Sequence, residues 1–286
     1  MNLVASLQAR LKNQARKQGI AYASLLEQFA LSRFLTRLEK SDYAEGFILK
    51  GAQLFRFLDG EEHRPTRDAD FLCFGEHAPD ALQEIFSSIC QLTPPDADAL
   101  TWENIRAAAI REENSYGGVR VLVTSGLGKM RIPLQFDVGF GDVITPAIRY
   151  QNWASPLDYP QVRLATYPLE TVIAEKLEAA VSLGINNSRM KDFFDLHWLA
   201  QHRTFDHNVL AQAIRATFER RSTALPSLCP LALTNTFAND KDKLAQWQAF
   251  VRKNDLNAPP LPEVIRKLHG YLWPHLQAAQ TEGNDD

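Results

Sequence analysis

Three aspartates, a lysine and a glycine carry the chemistry legible in this chain. Leu49-Lys50-Gly51-Ala52 is followed by Arg67-Asp68-Ala69-Asp70, and much later by Phe136-Asp137-Val138. Phe71-Leu72-Cys73-Phe74 after the pair and Leu134-Gln135-Phe136 before the third aspartate are β-forming runs. Residues i and i+2 of a strand share a face, so Asp68 and Asp70 are expected to point to one side. Asp137 on a neighbouring strand would complete an oxygen-only site suited to Mg²⁺. Two such ions, roughly 3.5–4 Å apart, can hold a nucleoside triphosphate and activate an attacking hydroxyl. Without a cation, three converging carboxylates need solvation or raised pKa values. Gly51 leaves the backbone room to approach a phosphate, and a helix beginning at Ala52 would offer N–H groups there. Lys50 and Arg67 supply charge for a polyphosphate or fix the loop. An Asp-x-Asp pair alone is more often a turn or cap. The ordered combination of glycine, Asp-x-Asp and a later strand aspartate is far more specific.

A second group lies downstream. Leu169–Leu183 reads as a helix in which Ile173, Leu177 and Val181 form an apolar stripe, with Glu175 and Lys176 flanking it at a cleft edge. In Arg189-Met190-Lys191-Asp192-Phe193-Phe194-Asp195-Leu196, Asp192 and Asp195 are i, i+3 neighbours on one helix face. Asp192 lies early in its helix, where a carboxylate complements the dipole. The competing reading of this group is a solvated charged face plus a helix-start carboxylate.

The elements that must position these residues follow from periodicity. Residues 2–18 and 22–39 read as amphipathic helices, the first stopped by Gly19. Gly46 to Leu49 is a short apolar run, Ala52 to Leu58 helical, Glu61 to Thr66 a polar loop, and Ala69 to Phe74 a strand. Asp80 to Leu92 and Trp102 to Glu113 read as helices. Gly118 to Thr124 alternates as a strand, Ser125-Gly126-Leu127-Gly128 is turn chemistry, and Met130 to Phe140 returns as the second strand of a hairpin. Pro146 to Pro160 reads as a loop or crossover. From Pro168 the chain is helical, in segments 169–183, 190–202, 208–220, 241–254 and 262–277, with a polar tail over 281–286. The expected fold is α+β: a mixed β-sheet core behind a helical N-terminal lead, then a mostly helical C-terminal half. The expected domains are 1–165 and 166–286.

Composition narrows the class. The chain has 286 residues, 45% hydrophobic and 23% charged, with a formal net charge of −3, ordinary for a globular protein. A nucleic-acid partner must then use a local basic patch. The candidates are Arg10/Lys12/Arg16/Lys17, Arg215/Arg220/Arg221 and Arg252/Lys253/Arg266/Lys267. No signal peptide and no membrane-spanning run is evident. The three cysteines, Cys73, Cys90 and Cys229, lack paired spacing, which fits reduced thiols in a cytoplasmic protein.

These blocks resemble the nucleotidyltransferases of AbiEii/AbiGii type, the toxin half of abortive-infection (phage-defence) and toxin–antitoxin pairs. The resemblance rests on residues 47–52, 64–71, 135–142, 170–177 and 189–196, in that order. It implies a nucleotidyltransferase-type sheet core. It also implies Mg²⁺-dependent transfer of a nucleoside monophosphate from an NTP to an acceptor, the tRNA 3′ end in studied relatives. On the resemblance, Asp68 and Asp70 match the metal-binding pair and Asp137 the later strand carboxylate, with two ions expected. Gly51 matches the phosphate-side glycine. Lys176 matches a helix lysine on the triphosphate, and Asp192 an acidic residue that orients Lys176 or the acceptor. Many members carry serine or glycine where this chain has Ala52, so phosphate binding would rest on backbone N–H groups and Lys50. A cognate antitoxin is implied as partner. A protein or small-molecule acceptor, or a non-catalytic partner-binding role, stays open beside the tRNA reading.

Overall fold

The computed structural model describes residues 2–57, 63–64, 66–75, 77–110 and 117–281. The ends expected for the 52–58 helix and the 102–113 segment, half of the 61–66 loop, and the tail beyond Thr281 lie outside them. The chain divides into two units. Met1–Gly141 with Arg149–Thr166 forms the first, and Asp142–Ile148 with Tyr167–Asp286 the second.

Among the described residues the first unit is a seven-stranded mixed sheet with helices packed on it. Its strands are β1 (Phe47–Lys50), β2 (Ala69–Cys73), β3 (Leu100–Ile110), β4 (Gly118–Leu127), β5 (Met130–Phe140), β6 (Arg149–Trp153) and β7 (Val162–Thr166), in the order β3-β4-β5-β2-β1-β7-β6. The β2/β5 and β1/β7 pairs are parallel, and the other four are antiparallel. Alternation decides which face is which. Val119, Val121 and Val123 of β4 and Ile132, Leu134, Phe136 and Val138 of β5 are buried, leaving Arg120, Gln135, Asp137 and Gly139 on the more open face. Helices α1 (Leu3–Gln18), α2 (Tyr22–Glu39) and α3 (Pro79–Gln91) complete the unit. Phe34 of α2 lies 4.4 Å from Phe136 and 5.3 Å from Phe86 of α3, ring centroid to centroid. Beside this aromatic cluster Asp98 is buried in the grip of two arginines. Arg33 Nε donates to its Oδ2 at 3.0 Å, and Arg37 Nη1 and Nη2 donate to Oδ2 and Oδ1 at 2.6 and 3.2 Å.

Several expectations are corrected here. The segment from Trp102 is strand β3, not helix. Its Ala107-Ala108-Ala109 run favours a helix locally, but pairing with β4 from Leu100↔Leu127 to Ile110↔Gly118 overrides that preference. A register shift between Glu103 and Arg106, with Asn104 at φ 54°, breaks the two-residue alternation that would have revealed it. The turn expected at 125–128 belongs mostly to β4, which runs to Leu127. The loop expected at 146–160 contains β6. Gly51–Phe57 is a 3₁₀ helix rather than an α-helix, so no α-helical N-terminus lies beside Gly51.

The second unit is helical: α4 (Leu169–Leu183), α5 (Met190–His202), α6 (His207–Arg220), α7 (Asn235–Ala238), α8 (Lys241–Lys253) and α9 (Leu261–Thr281). Helix α4 packs on α6, and both α5 and α6 pack on α9. Asp206 and Asp240 cap α6 and α8 by accepting two backbone N–H bonds each. The 142–148 segment is bound to α4, where Thr171 Oγ1 donates to the Thr145 carbonyl at 2.8 Å and accepts from its N–H at 3.0 Å. Among the described residues no helix is long and apolar enough to cross a membrane.

Candidate active site

Four charged residues stand in register across four strands of the first unit. Lys50 of β1 pairs with Asp70 of β2, Asp70 with Asp137 of β5, and Asp137 with Arg120 of β4. The row therefore reads plus, minus, minus, plus. Placing two like charges on adjacent strands is unfavourable unless counter-charge is near, and here each carboxylate has a cation on its outer side. Arg120 grips Asp137 in a two-pronged bond, Nε to Oδ1 at 2.8 Å and Nη2 to Oδ2 at 2.7 Å. That hydrogen bond, against slight burial and with the added charge of Asp137, Asp68 and Asp70, raises the Arg120 pKa above its usual value. Lys50 reaches toward β5: a Cβ added at Gly139 would lie 3.6 Å from its Nζ.

Asp68 is exposed and sits just before β2 rather than within it. Gln53 of the 3₁₀ segment holds the Asp68 carbonyl, its Nε2 donating at 3.2 Å. Gly51 has a structural reason to be glycine: its φ is 70°, and a Cβ there would collide with the Asp70 carboxylate, lying 2.7 Å from its Cγ. The glycine thus makes room for an acid of the row, a constraint the sequence did not reveal. Ala52 is buried. Arg67 is 83% exposed, with Nε 3.7 Å from Glu27 of α2.

The chemistry of Asp68, Asp70 and Asp137 suits a hard divalent cation: all-oxygen donors, two of them in direct register. They are not a ready-made cage. Among the described residues no group of three or more His, Cys, Asp or Glu side chains stands close enough to hold a metal ion. The Asp137 carboxylate is turned into the Arg120 fork.

In the second unit Lys176 is buried between two carboxylates, Nζ lying 2.5 Å from Asp192 Oδ1 and 2.9 Å from Asp195 Oδ2. Burial pushes its pKa down, but Asp192 and then Asp195 outweigh that, so it is held above the ordinary lysine value and stays charged. Asp195 is fully buried, and the solvated charged face considered for this group is excluded. The i, i+3 spacing of the two aspartates was the signal for the arrangement. No comparable signal marked Arg221, which bonds Glu178 at 2.9 Å and Asp142 at 3.2 Å and lies 3.5 Å from Glu175. Its expected place in a basic nucleic-acid patch is corrected: its charge is spent on an acidic cluster inside its own unit.

A mixed sheet with an acidic pair entering one strand and a third acid on the next defines a nucleotidyltransferase-type fold. Two solved structures share it. JHP933 from Helicobacter pylori superposes with a TM-score of 0.52 at 16% identity, covering 92% of this chain and 96% of its own. A putative nucleotidyltransferase from H. pylori gives 0.51 at 16% identity, covering 92% and 99%. No curated protein matches the sequence. The chain belongs to the family described as nucleotidyl transferase AbiEii toxin, type IV toxin–antitoxin system, whose model matches residues 33–280.

Proposed function

We propose that this protein is a Mg²⁺-dependent nucleotidyltransferase toxin that moves a nucleoside monophosphate from an NTP to the 3′ end of tRNA, in a cytoplasmic toxin–antitoxin or phage-defence pair. The observation that carries the reading is the in-register pairing of Asp70 with Asp137, with Asp68 two residues ahead. Asp68, Asp70 and Asp137 would hold two divalent ions, which when bound supply charge neutralisation for the triphosphate. Lys50, on the flank of the row, offers positive charge to the phosphates, and Gly51, Ala52 and Arg67 border the same place in the chain. Asp137 accepts the proton of the acceptor hydroxyl on a carboxylate oxygen. The new bond forms between the acceptor's hydroxyl oxygen and the α-phosphorus, the bond from the α-phosphorus to the bridging oxygen breaks, and pyrophosphate leaves. In this reading Lys176 is the family's helix lysine that contacts the triphosphate, and Asp192 orients it. A cognate antitoxin restrains the reaction.

The test is a transfer assay with Mg²⁺, each α-³²P-labelled NTP in turn and total tRNA. Label on tRNA that disappears with Asp68→Asn or Asp70→Asn supports the proposal. Undiminished labelling by either variant sinks it. Label found only on protein or a small molecule replaces tRNA by that acceptor.

A further inference from the structure

A cavity of about 1020 Å³ opens in the first unit beside the 3₁₀ segment, at the top of the range of ligand pockets, roughly 300–1,000 Å³. Its lining is unlike the surface of a chain with net charge −3. Arg56, Arg64 and Arg67 all line it, whereas Glu27 is the one acid among the described lining residues. Trp153 backs its wall as a buried residue, with the exposed Arg56 guanidinium 5.7 Å from the ring centroid, and a base can stack on that guanidinium. Asn152 adds a side-chain amide that can read a base edge. Gln53 supplies the sharpest pointer. It lines the cavity at 1% exposure, and its Oε1 has no hydrogen-bond partner among the described residues. An orphaned buried acceptor costs stability until a donor arrives. The same side chain donates to the Asp68 carbonyl at 3.2 Å, so the cavity and the acidic loop share a residue.

We infer that this cavity seats the unpaired end of the acceptor strand, more than one ribonucleotide long, with bases in the pocket and phosphates on the three arginines. The inference rests on the nucleotidyl-transfer reading for its word "acceptor". The binding itself needs neither metal nor catalysis: Gln53 Oε1 accepts from a base N–H, the Arg56 guanidinium backed by Trp153 offers stacking, and the basic rim draws the strand in.

The experiment is fluorescence anisotropy of a labelled CpCpA oligoribonucleotide in EDTA, with a 4-thiouridine-bearing version for photo-cross-linking. Arg56→Ala is expected to weaken binding about five- to tenfold and to lower the slope of log affinity against log salt by about 0.7. Arg131→Ala, an exposed arginine outside the cavity, serves as control and is expected to bind as wild type. Cross-links are expected in peptides spanning 52–57 or 149–154. Asp68→Asn should bind the oligonucleotide normally although it cannot transfer, which separates failure here from failure of the proposed reaction. Binding unchanged by Arg56→Ala, no binding at low salt, or cross-links mapping only elsewhere overturns the inference. Displacement of the oligonucleotide by free NTP in EDTA also overturns it, because the cavity would then be the donor's site.

Discussion

Arg120 and Asp137 face each other across β4 and β5 with both guanidinium–carboxylate bonds formed, at 2.8 and 2.7 Å. The guanidinium occupies the carboxylate that a divalent cation would need, so the two compete for Asp137. The arginine side chain is 44% exposed, and solvent screening limits such a pair to about 0.2–1 kcal/mol. Arg120→Gln is therefore expected to tighten Mn²⁺ binding about two- to fivefold, measured by paramagnetic resonance or calorimetry without nucleotide. Equal affinity in the two proteins would show that the pair does not restrain the site.

Gly51→Ala sets a side chain against Asp70 at a positive φ. Left-handed backbone at a non-glycine residue costs of order 1–3 kcal/mol, and the collision adds to it. Thermal or urea unfolding should show at least that loss. Combined with Asp70→Ala, which removes the two nearest of the three clashing atoms, the loss should shrink. Strict additivity in the double-mutant cycle would contradict the contact.

Asp98 is the acid whose charge the first unit depends on. Burial pushes its carboxyl upward, but hydrogen bonds and charge from Arg37, then the Leu100 N–H and Arg33, outweigh that and hold it below the ordinary 3.8. A folded pKa below the unfolded one gives stability that is fully present above the unfolded value and fades as pH falls through the folded one. The wild type should therefore lose stability on acidification below about pH 4, and Asp98→Asn should flatten its share of that slope. At pH 7 the substitution leaves two buried arginines short of a counter-charge, at a cost of about 3–5 kcal/mol. An unfolding free energy within 1 kcal/mol of wild type would refute this role.

Lys176 between Asp192 and Asp195 combines a structural duty with the proposed catalytic one. Lys176→Met strands the fully buried Asp195 and should cost about 3–5 kcal/mol. Adding Asp195→Leu replaces the stranded charge by an apolar group and should recover much of that. Nucleotide transfer should stay absent in the recovered double variant. Transfer that returns with stability would reduce Lys176 to a structural residue.

What the sequence disclosed was whatever local spacing carries. The two-residue alternation of β5 and the four-residue rhythm of α4, α5 and α6 give those elements nearly to the residue, and the alternation of β4 gives its start but not its last three residues. The Asp68/Asp70 pair and Asp137 were legible because their flanks are strongly β-forming. Helix-favouring alanines and a broken register hid β3, and β6 and β7 are five residues each, too short for a period to show. The ionic partners were hidden for another reason. Arg120 lies 17 residues from Asp137, Arg37 61 from Asp98 and Arg221 79 from Asp142, and no spacing rule joins positions that only the folded chain brings together.

The pairing of Asp70 with Asp137 has one more consequence, because the same register aligns the aromatic core. Phe71 pairs with Val138 and Ala69 with Phe136, all four buried. Side chains alternate with a period of two, so slipping β2 by one residue would turn Asp70 into the core and a phenylalanine out to water. A chain that misaligns its acids therefore also fails to fold. The hydrophobic interior acts as a proofreader of the acidic site, and a population of this protein divides into molecules with a complete row and molecules with no native sheet at all.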